Sequence, residues 1–121
     1  MFLVERNIFL EILLKQKKKE DSKKFIENDI ANPNITDSSL HSIGVILFRY
    51  DKDGIFQKFV EDIMPNTKLL SLPIELYREV VNVKESLNSD FNDAYQYTIA
   101  KNHGLKVVPI DRDSRRRLEK I

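Results

Sequence analysis

The stretch SDFNDAYQYTIAKNHGLKVVPIDRD, from Ser89 to Asp113, decides how the chain is read. Ala94, Tyr97, Ile99 and Ala100 follow the cap-type residues Ser89, Asp90 and Asp93, a pattern that predicts a helix. His103-Gly104 supplies the stop, because glycine enters the left-handed conformation that closes helices without strain. Leu105, Val107, Val108 and Ile110 then predict a buried strand that runs out at Asp111 and Asp113. The unit is apolar in the middle and acidic at both ends. Gathered carboxylates repel unless a proton or a cation lies between them. The pattern therefore points to a divalent-metal site.

Working outward, Phe2-Leu3-Val4 predicts a short buried strand that ends at Glu5. Asn7 reads as the N-cap of a helix reaching about Gln16, with Ile8, Phe9, Ile12 and Leu13 at helical spacing. The basic run Lys15 to Lys19 reads as a solvated helix face, and Glu20-Asp21-Ser22 opens a second helix carrying Phe25 and Ile26. Asn32-Pro33-Asn34 reads as a loop, after which Thr36 to Ser39 offer cap oxygens to a helix running through Phe48. Apolar residues reach most of the way round that helix, so it is expected to be central and largely buried. Tyr50 to Gly54 is a turn; its Asp51-Lys52-Asp53-Gly54 string lacks the later ligands of a calcium loop. Ile55 to Ile63 predicts a helix, Lys68 to Leu72 a strand, and Ile74 to Leu87 a further helix. Strands separated by helices pair through crossovers, which makes a parallel, helix-covered α/β sheet.

Composition narrows the chemistry. The 121 residues suit a single domain, 1–121, and the net charge of +1 says nothing about a nucleic-acid partner. No cysteine is present, which excludes thiolate metal sites and a cysteine nucleophile and suits a cytoplasmic protein. Three glycines leave no phosphate-cradling loop. His103 reads as a helix end and His41 as a satisfied buried imidazole. The apolar run Ile8 to Leu14, broken by Glu11, is neither a signal peptide nor long enough to cross a bilayer, so no membrane partner is expected. Parallel α/β sheets bind ligands beyond the carboxyl ends of their strands, where Glu5 and Asp111 fall. Oxygen ligands without histidine or cysteine suit Mg²⁺ or Mn²⁺, ions that activate water against a phosphodiester.

Asp90 to Tyr97, Ala100 to Val108 and Ile110 to Asp113 together resemble the C-terminal half of PIN domains. Leu3-Val4-Glu5-Arg6-Asn7 resembles that family's opening, which usually reads Leu-Asp-Thr-Asn, and Ser39 to Gly44 takes the place of its central helix. The resemblance implies a three-layer α/β/α fold with a short central parallel sheet. It also implies a metal-dependent endoribonuclease, often the toxin of a VapBC-type toxin–antitoxin pair and often a homodimer. RNA and a small antitoxin protein are the implied partners. Carried over by position, Glu5, Asp93 and Asp111 are the catalytic acids, and the same three with Asp113 hold Mg²⁺ or Mn²⁺. Two departures motivate an alternative, a catalytically degenerate PIN fold that binds RNA or a protein without cutting. Glu5 replaces the usual aspartate, and the acid expected on the central helix is absent, with His41 or Ser42 there and Asp37 the nearest carboxylate. The basic residues of 15–19 and 112–117 are the candidate contacts to an RNA backbone. Phe91 and Tyr95 read as core rather than base-stacking residues.

Overall fold

The computed structural model describes residues 2–14 and 33–108. In chain order these form β1 (Phe2–Val4), α1 (Arg6–Leu13), β2 (Asn34–Thr36), α2 (Asp37–Arg49) and α3 (Asp53–Asp62). After a 3-10 turn at Met64–Asn66 come β3 (Lys68–Leu70), a second 3-10 turn at Ile74–Leu76, α4 (Tyr77–Leu87), α5 (Phe91–His103) and β4 (Lys106–Val108). All strand pairs are parallel and the sheet order is β3-β2-β1-β4.

Period-two alternation sorts the sheet's side chains into two layers. Leu3, Leu70 and Val107 face one way, into a cluster completed by Val80 and Leu87 of α4 and Ala94, Tyr97 and Ile99 of α5. Val4 and Ile35 face the other way, onto Ile8 and Phe9 of α1, Ile43 and Leu47 of α2 and Phe59 of α3. Phe9 and Phe59 meet edge to face, ring centroids 5.4 Å apart. Neighbouring residues Leu3 and Val4 thus belong to opposite cores, and helices cover both faces of the sheet. The expected α/β/α layering is what the chain adopts.

Sheet order also locates the crevice. From β1 the chain steps outward to β2 and β3, then returns to place β4 on the other side of β1. The direction of winding reverses between β1 and β4, and open parallel sheets bind ligands beyond the strand ends at such a point. Glu5 directly follows β1 there.

Four local expectations are corrected. β2 lies where a loop and a cap were expected: Asn34 and Thr36 are polar, but Asn34 Nδ2 donates to the Phe2 carbonyl at 2.9 Å and Thr36 is buried. Thr36 both ends the strand and caps α2, its Oγ1 accepting from Ser39 N at 3.0 Å. The N-cap position of the first helix is Glu5 rather than Asn7, which is exposed. On α2 only Ser39, Ile43 and Leu47 are buried, whereas Phe48 is 61% exposed and His41 is exposed as well. The Leu72 end of the third expected strand is extended chain without ladder bonds, and the helix after it begins as a 3-10 turn. The helix expected around Phe25 and Ile26 lies outside the described residues.

Candidate functional site

Glu5 sits in the N-cap position of α1, yet its side chain makes no capping bond. The carboxylate turns inward, and the residue is only 5% exposed. Oε1 accepts from Gln96 Nε2 at 3.3 Å. Gln96, 2% exposed on α5, accepts in turn at its own Oε1 from Ser39 Oγ at 3.4 Å. The serine hydroxyl at the carbonyl end turns the amide's donor end toward Glu5. A polar chain therefore runs Glu5–Gln96–Ser39 and ties the end of β1 to α5 and to the first turn of α2. An ionised carboxylate taken out of water is destabilising unless hydrogen-bonded or charge-compensated, so this burial calls for a reason.

Asp90 and Asp93 divide the work at the start of α5. Asp90 is the N-cap, its Oδ1 accepting from Asp93 N at 2.8 Å, and its role is structural. Asp93 lies half-buried in the first turn, where the exposed N–H groups of the helix end favour a negative charge. It precedes Gln96 by three residues, a spacing that puts the two on one helix face. Through Gln96 the fold thus brings Glu5 to the strip of α5 that also carries Asp93. Asp111, Asp113 and both basic runs, 15–19 and 112–117, lie outside the described residues. Among the described residues no group of three or more acidic, histidine or cysteine side chains is placed to hold a metal. What is present there, Glu5 and Asp93, is a set of hard oxygen donors, which fits a magnesium-like ion and no softer one.

The carboxylate nearest in sequence to the missing central acid is engaged elsewhere. Asp37 Oδ1 accepts from Tyr95 Oη at 2.8 Å and from Ser38 N at 2.8 Å. The same tyrosine hydroxyl accepts from Leu72 N at 3.0 Å. Burial, reinforced by the neighbouring Asp37 carboxylate, pushes the Tyr95 hydroxyl well above the usual tyrosine range. Neither His41 nor Ser42 enters the Glu5 chain; both line a shallow hollow with Asp37. The α2 residue that does enter it is Ser39, expected only as a cap oxygen at the start of the central helix. Its signal was available in retrospect, since Ser39, Ile43 and Leu47 form the buried stripe of α2 at helical spacing. Tyr95 is core, as expected; Phe91 is not, being 59% exposed.

A family model for the PIN domain matches residues 2–120. The chain belongs to the PIN domain family. Among solved structures it is similar to VapC20 of Mycobacterium tuberculosis, a toxin that cleaves the sarcin–ricin loop, with a TM-score of 0.82 at 10% identity. That match covers 96% of this chain and 94% of the other. At so low an identity it speaks for the PIN fold and leaves the chemistry to the residues. The search of curated proteins finds no match.

Proposed function

We propose that this PIN-domain chain is a single-domain, divalent-metal-dependent endoribonuclease, the toxin of a toxin–antitoxin pair. The observation that carries the reading is a carboxylate, Glu5, held buried at the switch point of a parallel sheet and linked to the α5 face that carries Asp93. Membership of the PIN family and likeness in fold to a sarcin–ricin-loop-cleaving toxin support it. Glu5, Asp93 and Asp111 would hold Mg²⁺ or Mn²⁺, with Asp113 in support. When bound, such an ion polarises the phosphodiester and activates the attacking water.

The chain's own residues do the positioning. Gln96 holds one oxygen of Glu5 in place, and Ser39 keeps the Gln96 amide from flipping. Asp90 sets the backbone at Asp93. The apolar layers behind them exclude water from the back of the site. Exposed Val45, Phe48, Tyr50 and Val60 on the α2–α3 side support association with an antitoxin or a second copy of the chain in the cytoplasm.

One observation favours the non-cleaving alternative: α2 contributes a neutral hydroxyl, Ser39, to the polar chain instead of a carboxylate. Purified protein incubated with single-stranded RNA and Mn²⁺, beside Asp93→Asn, separates the two. Cleavage by the parent alone supports the nuclease. Cleavage by neither favours the binding module, and equal cleavage by both refutes Asp93 as a participant.

A further inference from the structure

A second feature lies beside the Glu5 chain and is absorbed by neither capping nor metal binding. Phe91, in the first turn of α5 and two residues before Asp93, is 59% exposed. Its ring lies over Tyr95, centroids 5.9 Å apart and planes 28° from parallel. Tyr77 of α4 meets the same Tyr95 ring edge-on at 5.8 Å and is itself partly exposed. Tyr95 is the fixed hub: its hydroxyl is bonded to both Leu72 N and Asp37 Oδ1. These rings help line a hollow of about 290 Å³ that is also lined by Asp37, His41, Ser42 and Asn92.

We propose that this hollow is a nucleobase subsite for single-stranded RNA, with Phe91 as the stacking platform; it rests on the ribonuclease reading above. A lone exposed phenylalanine needs no explanation. This one is backed by a buried ring and shares the lining of one shallow hollow with a carboxylate, an imidazole, a hydroxyl and an amide. A flat heterocycle with an apolar face and a hydrogen-bonding rim uses both the rings and the polar groups; an aliphatic side chain would use only the rings. Single-stranded RNA is bound through such splayed bases, stacked on aromatic rings and read along their edges. The place suits the task, since the next turn of the same helix carries Gln96, bonded to Glu5.

The chain contains no tryptophan, so Phe91→Trp installs a single fluorophore on the platform. Binding of a short single-stranded RNA is measured in EDTA, where cleavage does not interfere, by anisotropy of the labelled RNA. We expect saturable quenching of the Phe91→Trp emission with parent-like affinity, and Phe91→Ala to weaken binding about tenfold. Val81→Ala, at an exposed position of α4 outside the hollow, should bind as the parent does. Phe91 is exposed, and matching circular-dichroism melts check that Phe91→Ala folds as the parent does. Parent-like binding by Phe91→Ala, or Phe91→Trp emission that RNA leaves unchanged, overturns the subsite and leaves the nuclease reading standing. Failure of the parent itself to bind RNA overturns the subsite, and failure to cleave RNA with Mn²⁺ overturns the nuclease reading as well.

Discussion

Replacing Tyr95 with phenylalanine removes one oxygen and leaves the ring, so it isolates the hydroxyl that joins α5, α2 and the chain after β3. Leu72 N loses its acceptor inside the protein. A buried donor left without a partner is destabilising by about 1–3 kcal/mol. Asp37 loses a charge-assisted bond, but it keeps Ser38 N and is partly exposed, so water replaces most of that contribution. No cavity forms beyond the missing oxygen. The expected loss is therefore about 2 kcal/mol, dominated by the Leu72 amide. With an unfolding entropy of about 2.1 cal/mol/K per residue over 121 residues, that lowers Tm by about 8 °C.

The pH dependence carries an independent sign. Burial first, then Asp37, keeps the folded Tyr95 hydroxyl protonated above the usual range. The unfolded tyrosine ionises near pH ~10. Below that pH the stabilisation is fully present; above it the unfolded chain has shed a proton that the folded chain retains. The advantage of the parent over Tyr95→Phe should shrink by about 1.4 kcal/mol for each pH unit above ~10. Urea titrations of both proteins at neutral and alkaline pH test this, with shared lysine titration cancelling in the difference. A Tm change under about 2 °C, or a stability gap that stays constant into the alkaline range, would refute the hydroxyl as a tie between elements.

Two further outcomes follow from the polar chain. Gln96→Leu withdraws the donor from Glu5 Oε1 and should destabilise by about 2 kcal/mol, as for other hydrogen bonds to charged groups. Adding Glu5→Gln to that variant should recover part of the loss in denaturant titration; strict additivity of the two changes would show that the residues do not interact. Asp90→Ala deletes the α5 cap and should lower stability by about 1 kcal/mol. The same variant should bind Mn²⁺ more weakly by calorimetry, because the cap fixes the backbone of Asp93, and unchanged affinity would count against that link.

What the sequence determined by itself was the set of features with local causes. The start of α5 at Asp90 and its end at Gly104 with φ +64° depend on groups within a few residues of one another and are found where the pattern put them; the turn expected over Tyr50 to Gly54 opens at Tyr50 but is shorter, because α3 already begins at Asp53. The apolar triplet of β1 and the parallel, helix-covered sheet were legible for the same reason, since alternation and spacing encode them directly. Tertiary structure decided the rest. β2 has little apolar character of its own and exists because Asn34 bonds to the backbone of β1 and Thr36 caps the next helix. The exposure of His41 and Phe48 depends on which side of α2 meets the sheet, something a helix apolar nearly all round does not state. At the candidate site, Glu5 and Asp93 were named from sequence, but their connection was not. Glu5 and Gln96 are 91 residues apart, and Ser39 and Gln96 are 57 apart. No short-range pattern records a pairing that only the folded layers create.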